Sequence, residues 1–198
     1  RVEKPDAAIL VDYPDFNLRL ARAAHKRGIK VFYYISPQVW AWKEKRINYI
    51  KTVVDRMLVL FPFEKDIYAK YGMDVDYVGH PLLDEVKITE PPSSIKAQFG
   101  IKPQNQTIGL LPGSRLKEVS RHLPVMLAAA KILLGKNPYR RFIVLKAATI
   151  PREALEQEIK HSGIPAIIYD ASPYNGIGAM DAAMVASGTA TLETGLLL

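Results

Sequence analysis

The chain has 198 residues, 48% of them hydrophobic, which suffices for one domain with a sizeable core or for two small ones. It has no cysteine, which excludes a disulfide framework and thiolate chemistry, and no apolar run approaches the roughly 20 residues that span a bilayer. A net charge of +7 favours an anionic partner: a nucleotide, a phosphorylated substrate, an acidic membrane surface or nucleic acid.

Strand and helix patterns alternate along the chain. Ala7–Val11 is a continuous apolar run that predicts a strand, and a helical pattern follows through Phe16, Leu20 and Ala24 to Gly28 in C-cap position. The β-branched and aromatic residues 29–35 predict a second strand. Ile47, Ile50 and Val54 recur at helical spacing on a segment rich in Lys and Arg, and residues 57–61 predict a third strand. Pro62 takes the first position of the next helix, with Phe63, Ile67 and Tyr71 on one face before Gly72 ends it. A short strand at 75–78 leads to Gly79-His80-Pro81.

The stretch 82–106 holds Pro91-Pro92, Ser93-Ser94 and Pro103, and reads as a hinge with at most a short helix in it. The alternation then resumes: strand Thr107–Leu111, helix 116–134, strand Arg141–Leu145, helix 151–161, strand 164–169, a helix from Pro173, a brief strand at 183–185, and a helix from Thr189. The fold class expected is α/β, with parallel sheets covered on both faces. The domains expected are 1–88, a linker at 89–106, and 107–198, with a ligand held between two halves at the carboxyl ends of the strands. The first residue is not Met, and the last residues continue a helical pattern. The expectation is an internal fragment with both halves truncated and part of the active site outside it.

The segment TIGLLPGSR (107–115) reads as a buried strand running into an anion-binding turn. Gly113 allows close backbone approach, Ser114 can cap the following helix, and that helix's free N–H groups suit a phosphate. Arg115 adds a planar cation that can grip phosphate oxygens in a fork. ASGTATLE (186–193) offers a second such turn: Ser187, Gly188 and Thr189 permit close approach to a nucleotide, and Glu193, one helical turn on, can accept ribose hydroxyls. Asp12 and Asp15 in VDYPDFN stand at the end of the first strand. Asp12 follows an apolar run, so partial desolvation should raise its pKa toward that of a general base, whereas Asp15 reads as a helix N-cap. In YYISPQVWAW, Trp40 and Trp42 precede Lys43, Lys45 and Arg46, a pattern that suits a headgroup interface, a sugar face, or a core plug beside a solvated basic helix. The four histidines lack metal-ligand spacing, and only His80, in VGHP, stands where it could act.

These segments together resemble the lipid-A-disaccharide synthase family, in VDYPDFNLRLA (11–21), YISPQVWAW (34–42), LFPFEK (60–65), VGHPL (78–82), LLPGSR (110–115) and ASGTATLE (186–193). Order and spacing agree over essentially the whole chain, and the pairing of DxPDFN with SPxVWAW is the most specific part. The resemblance implies two facing Rossmann-like halves of the kind shared by two-domain nucleotide-sugar transferases (GT-B type), and no metal or cofactor. It implies UDP-2,3-diacylglucosamine as donor and 2,3-diacylglucosamine 1-phosphate as acceptor, with inversion at the anomeric carbon. The family's catalytic aspartate falls on Asp12 and the arginine of its LPGSR motif on Arg115. Tyr13 stands where many members have a small residue. The family's GETSGD-type loop and later C-terminal segments lie outside these 198 residues. A location on the cytosolic face of the bacterial inner membrane, peripheral and in contact with anionic lipid, follows from acylated substrates. No nucleic-acid partner is implied, and a homodimer stays open.

Two other readings compete. Another UDP-sugar transferase or a UDP-N-acetylglucosamine epimerase would keep the phosphate turns but has no reason for YISPQVWAW. A basic nucleotide-binding regulatory module, docking on nucleic acid through residues 43–51, would need no strand-end carboxylate.

Overall fold

The computed structural model describes residues 5–198, and for Trp42 the backbone alone. The chain divides into two compact units, Arg1–Leu83 and Asp84–Leu198. The first comprises β1 (Ala7–Val11), α1 (Pro14–His25), β2 (Lys30–Tyr34), α2 (Val39–Trp42), a 3-10 turn at Glu44–Arg46, α3 (Ile47–Ile50), β3 (Arg56–Val59), α4 (Pro62–Ala69) and β4 (Asp76–Tyr77). The short helix α5 (Leu82–Glu85) lies at the division. The second unit continues with α6 (Pro92–Gln98), β5 (Thr107–Leu111), α7 (Leu116–Lys136), β6 (Arg141–Leu145), α8 (Arg152–Ser162), β7 (Ala166–Tyr169), α9 (Pro173–Gly178), β8 (Ala182–Val185) and α10 (Thr189–Leu197). The fold is α/β, and each unit is built on a four-stranded sheet.

The first sheet runs β1-β2-β3-β4 and the second β7-β6-β5-β8, with every pairing parallel. Parallel strands need a crossover, and the helices supply it. The second sheet's central strand is buried on both faces as expected, whereas the first sheet is buried on one face, with Ile9 and Val11 of β1 exposed at 72% and 51% on the other. In the first unit Val31 and Tyr33 of β2 and Met57 and Val59 of β3 are fully buried, and α1 lays Leu18, Ala21 and Ala24 onto the same core. That i, i+3, i+6 stripe is the apolar face of an amphipathic helix. In the second unit β5 is central and buried along its whole length, packed under Val119, Leu123 and Leu127 of α7.

Three expectations change. Residues 89–106 are not a free linker: Pro92 sits at the start of α6, and Ile95 and Ile101 are buried with Leu111, Ile143 and Tyr169 in the second unit's core. Asn175 fixes the same stretch, its Oδ1 accepting the Thr89 amide at 2.8 Å. The basic segment after Trp42 forms a 3-10 turn and the four-residue α3 rather than one longer helix. Ile35, placed in the second strand, lies just past it with φ of +67°, rare for a β-branched residue.

Candidate active site

At the end of β1 the backbone turns sharply. Asp12 and Tyr13 both have positive φ, 47° and 41°. Such conformations cost on the order of 1–3 kcal/mol each outside glycine and cluster at functional sites. Asp12 still donates its N–H to the Tyr34 carbonyl at 2.9 Å, extending the ladder one residue, and Pro14 then opens α1 with its φ already suited to a helix. The Asp12 carbonyl accepts the Tyr33 hydroxyl at 2.6 Å and Asn17 Nδ2 at 2.8 Å. The Asp12 carboxylate is exposed, so the desolvation expected from its place after an apolar run is not found. An apolar run predicts burial, but β1 is the first strand of its sheet with Ala7, Ile9 and Val11 exposed, and the turn carries the Asp12 side chain out as well. Asp15 is not the N-cap either; Tyr13 holds that position, without a side-chain cap. Asp15 lies in the first turn, where a carboxylate complements the helix dipole, and pairs with Arg46 at 3.2 Å.

Three motifs far apart in sequence meet at the same sheet's carboxyl edge. Trp40 packs edge-on against Phe63 with ring centroids 5.4 Å apart, Phe63 stacks on Phe61 at 5.6 Å, and Phe61 meets His80 at 5.6 Å. Trp40 and Phe63 keep 41% and 44% exposure, so this is an open aromatic shelf rather than a core plug. His80 Nδ1 accepts the Leu82 amide at 3.2 Å. The Trp42 side chain lies outside the described residues. Lys43 and Lys45 are exposed, whereas the Arg46 guanidinium is turned toward Asp15.

Beneath the shelf, Glu64 is 97% buried and accepts the Leu60 and Phe61 amides at 3.1 and 3.0 Å. Burial pushes its carboxyl above the ordinary value, against the pull of those two amides. The Ser36 and Tyr68 hydroxyls bond beside it at 2.8 Å, and burial pushes the Tyr68 phenol up to about 12. Glu64 went unremarked in the sequence, where the spacing of Pro62 and Glu64 before a helix was its only signal.

In the second unit the turn after β5 carries Gly113 at φ of +116°. A Cβ there would lie 2.6 Å from Glu118 Oε2, so the position requires glycine for both conformation and space. Ser114 does not cap α7 as expected. Arg115 occupies the N-cap position with extended backbone, and the Glu118 carboxylate folds back onto the turn. Its Oε2 accepts the Ser114 and Arg115 amides at 3.1 and 3.3 Å, and its Oε1 accepts Arg115 Nη1. Glu118 therefore occupies the donors assigned from sequence to a phosphate. Arg115 remains 78% exposed in its side chain. His122 Nδ1 and the Pro112 carbonyl lie 3.0 Å apart and brace the turn from the next helical turn, a role the sequence did not signal.

The two glycine-containing turns adjoin. Leu111 pairs with Val185 in the β5–β8 register, and the Ala186 amide donates to the Leu111 carbonyl at 2.9 Å. Residues 113–115 and Ser187, Gly188 and Thr189 therefore leave the same edge of the sheet from neighbouring strands. The Thr191 hydroxyl accepts the Gly188 amide at 3.4 Å, and Thr189 opens α10. Glu193 is half-buried and accepts the Tyr174 hydroxyl at 3.5 Å. Burial, then the Glu193 charge, raises the Tyr174 pKa and keeps that phenol a donor. Among the described residues no helix is long and apolar enough to cross a membrane.

The backbone is similar to UDP-GlcNAc 2-epimerase from Methanocaldococcus jannaschii, with a TM-score of 0.59 at 15% identity over 98% of this chain and 60% of that one. It is likewise similar to UDP-GlcNAc 2-epimerase from Neisseria meningitidis bound to UDP-GlcNAc, with a TM-score of 0.57 at 13% identity over 93% of this chain and 55% of that one. At such identities the likeness is one of fold alone. In sequence the chain is 49% identical to lipid-A-disaccharide synthase of Syntrophus aciditrophicus over 98% of its own length and 51% of that protein. It is 44% identical to lipid-A-disaccharide synthase of Myxococcus xanthus and 45% identical to lipid-A-disaccharide synthase 1 of Legionella pneumophila, with the same coverage. The chain thus spans about half the length of the curated relatives it matches. With the family model for lipid-A-disaccharide synthetase matched across residues 1–198, the chain belongs to that family.

Proposed function

We propose that the protein is an inverting, metal-independent glycosyltransferase that moves 2,3-diacylglucosamine from UDP to the 6-hydroxyl of 2,3-diacylglucosamine 1-phosphate. The observation that carries this reading is the Leu111–Val185 register, which sets the two glycine-containing turns side by side at one sheet edge. Family membership supplies the substrate class. In this reading residues 113–115, with Ser187, Gly188 and Thr189, hold the UDP diphosphate, and Glu193 accepts hydroxyls of its ribose. Asp12 takes the proton from the acceptor's 6-hydroxyl, the oxygen attacks the anomeric carbon, and the bond from that carbon to the β-phosphate breaks. UDP leaves with the negative charge. Arg115 and the N-terminus of α7, a helix of 21 residues, stabilise that charge as it develops.

Both substrates carry acyl chains, so the reading includes peripheral work at an anionic bilayer on the cytosolic side. Trp40, Lys43 and Lys45 are the local candidates for that contact, with His80 and the rest of the aromatic shelf on the acceptor side. Arg46 contributes less, since its charge is paired. The test is to incubate the protein, at its relatives' full length, with the UDP donor and the monophosphate acceptor and to measure UDP release. Acceptor-dependent release is expected. Epimerised UDP-sugar, or no release with either substrate, overturns the reading.

A further inference from the structure

Asp12 and Tyr13 are successive residues in the left-handed region, and neither is glycine. A turn of that kind persists only where its surroundings over-determine it. Asn17 supplies part of that constraint from inside α1: its Nδ2 donates to the Val11 carbonyl at 2.9 Å and to the Asp12 carbonyl at 2.8 Å. One amide nitrogen has two hydrogens, so both bonds are made at once. Tyr33, fully buried in β2, donates its hydroxyl to the same Asp12 carbonyl at 2.6 Å. Burial raises the Tyr33 pKa far above the ordinary phenol range, so it stays a donor at any working pH.

The direction of these bonds separates them from helix capping. A cap accepts from the free N–H groups at a helix start. Asn17 instead donates backward, to carbonyls at the end of the preceding strand. The result is an Asp12 residue whose carbonyl is gripped from two elements while its carboxylate stands exposed. We propose that Asn17 and Tyr33 are positioning residues that aim the Asp12 carboxylate by holding its backbone carbonyl in the strained turn. The proposal rests on the reading of Asp12 as the base. Displacing a reacting group by about 1 Å can lower a rate roughly a hundredfold, which sets the scale of the effect.

The experiment is a double-mutant cycle in the full-length protein, reading kcat, donor KM and melting temperature for Asp12→Asn, Asn17→Ala, Tyr33→Phe and the two doubles. Asn17→Ala and Tyr33→Phe should each lower kcat by about ten- to a hundredfold and leave donor KM within about twofold. In the Asp12→Asn background neither should lower the residual rate further, because their effect passes through the carboxylate already removed. Near-normal turnover in Asp12→Asn overturns the reading of the base itself. An inactive Asp12→Asn with unchanged kcat in Asn17→Ala and Tyr33→Phe, or losses that add in full, overturns the positioning role while leaving the base intact. Tyr33→Phe keeps the side-chain volume, so it decides the question alone if Asn17→Ala does not fold.

Discussion

The Glu118 carboxylate is bonded at one oxygen to the Arg115 guanidinium and at the other to the Ser114 and Arg115 amides. A phosphate arriving at this turn meets donors that already have a negative partner. It has to displace Glu118 or share the donors against like-charge repulsion. Removing a unit charge a few ångströms from the phosphate relieves that repulsion, by an amount that solvent at this exposed turn keeps modest. Glu118→Gln keeps an oxygen for the amides and removes the charge, so it should tighten UDP binding in a calorimetric titration. Unchanged or weaker binding would show that the carboxylate helps to hold the turn in its binding form.

The same pair has a pH signature. The Arg115 hydrogen bond, then the Ser114 amide, holds the Glu118 carboxyl below its ordinary value of 4.5. A depressed carboxylate stabilises the fold above its unfolded pKa and loses that contribution as the pH falls through its folded one. The melting-temperature difference between the protein and Glu118→Gln should therefore stay constant at neutral pH and close as the pH falls below 4.5. A difference that persists in acid would have to come from packing rather than charge.

Arg115 itself is tested by charge against shape. Arg115→Ala should cost about 3 kcal/mol in kcat/KM, the scale of one lost transition-state donor. Arg115→Lys should recover only part of this, because a single ammonium cannot make the forked contact. Full activity in the lysine variant would reduce the role of Arg115 to a point charge.

Much of this architecture is legible because strands of a parallel sheet read as apolar runs: Ala7–Val11, Thr107–Leu111 and Arg141–Leu145 coincide with β1, β5 and β6, although of β1 only Leu10 is buried. Residues 89–106 combine linker composition with a packed structure. Pro91-Pro92 and Ser93-Ser94 have linker composition, but proline is also at home in the first helical turn, and only the burial of Ile95 and Ile101 tells the two apart. At the site, Asp12 and the glycine turns could be placed at strand ends from pattern alone. Their strain and their partners could not, since Asn17 reads as an ordinary helix residue and Glu118 as a solvated one until the turns are folded. The shelf of Trp40, Phe61, Phe63 and His80 joins residues up to forty positions apart, and no local periodicity encodes it.

Gly176 sets helix propensity against packing. It lies within α9, where alanine is favoured over glycine by up to about 1 kcal/mol. A Cβ there would come within 2.7 Å of the Tyr169 ring and 2.8 Å of Leu145 Cδ1. Tyr169 is buried in the second unit's core, so the ring has little room to retreat, and overpacking typically costs about 1–3 kcal/mol. Packing should win. Gly176→Ala is expected to lower the melting temperature in a thermal unfolding scan, and a raised one would show that the ring can move aside.

The basic segment after the aromatic shelf makes unequal offers to a membrane. Lys43 and Lys45 are exposed, whereas Arg46 is committed to Asp15 at 3.2 Å with its side chain only 27% exposed. A free cation near an anionic leaflet is worth about 1 kcal/mol, so two lysines correspond to roughly a thirtyfold change in partitioning. Lys43→Gln with Lys45→Gln should weaken sedimentation with vesicles rich in anionic lipid by about ten- to thirtyfold at low salt, and by less at higher salt where screening already weakens the contact. Arg46→Gln should change it little. Trp40→Ala, which removes an amphipathic ring of the kind that settles at headgroup depth, should weaken binding to neutral and anionic vesicles alike. UDP affinity should be the same in all of these variants, because the residues proposed to bind it belong to the other compact unit. If the double lysine variant sediments as well as the unaltered protein, these lysines are a solvated face and the membrane contact is carried by other residues.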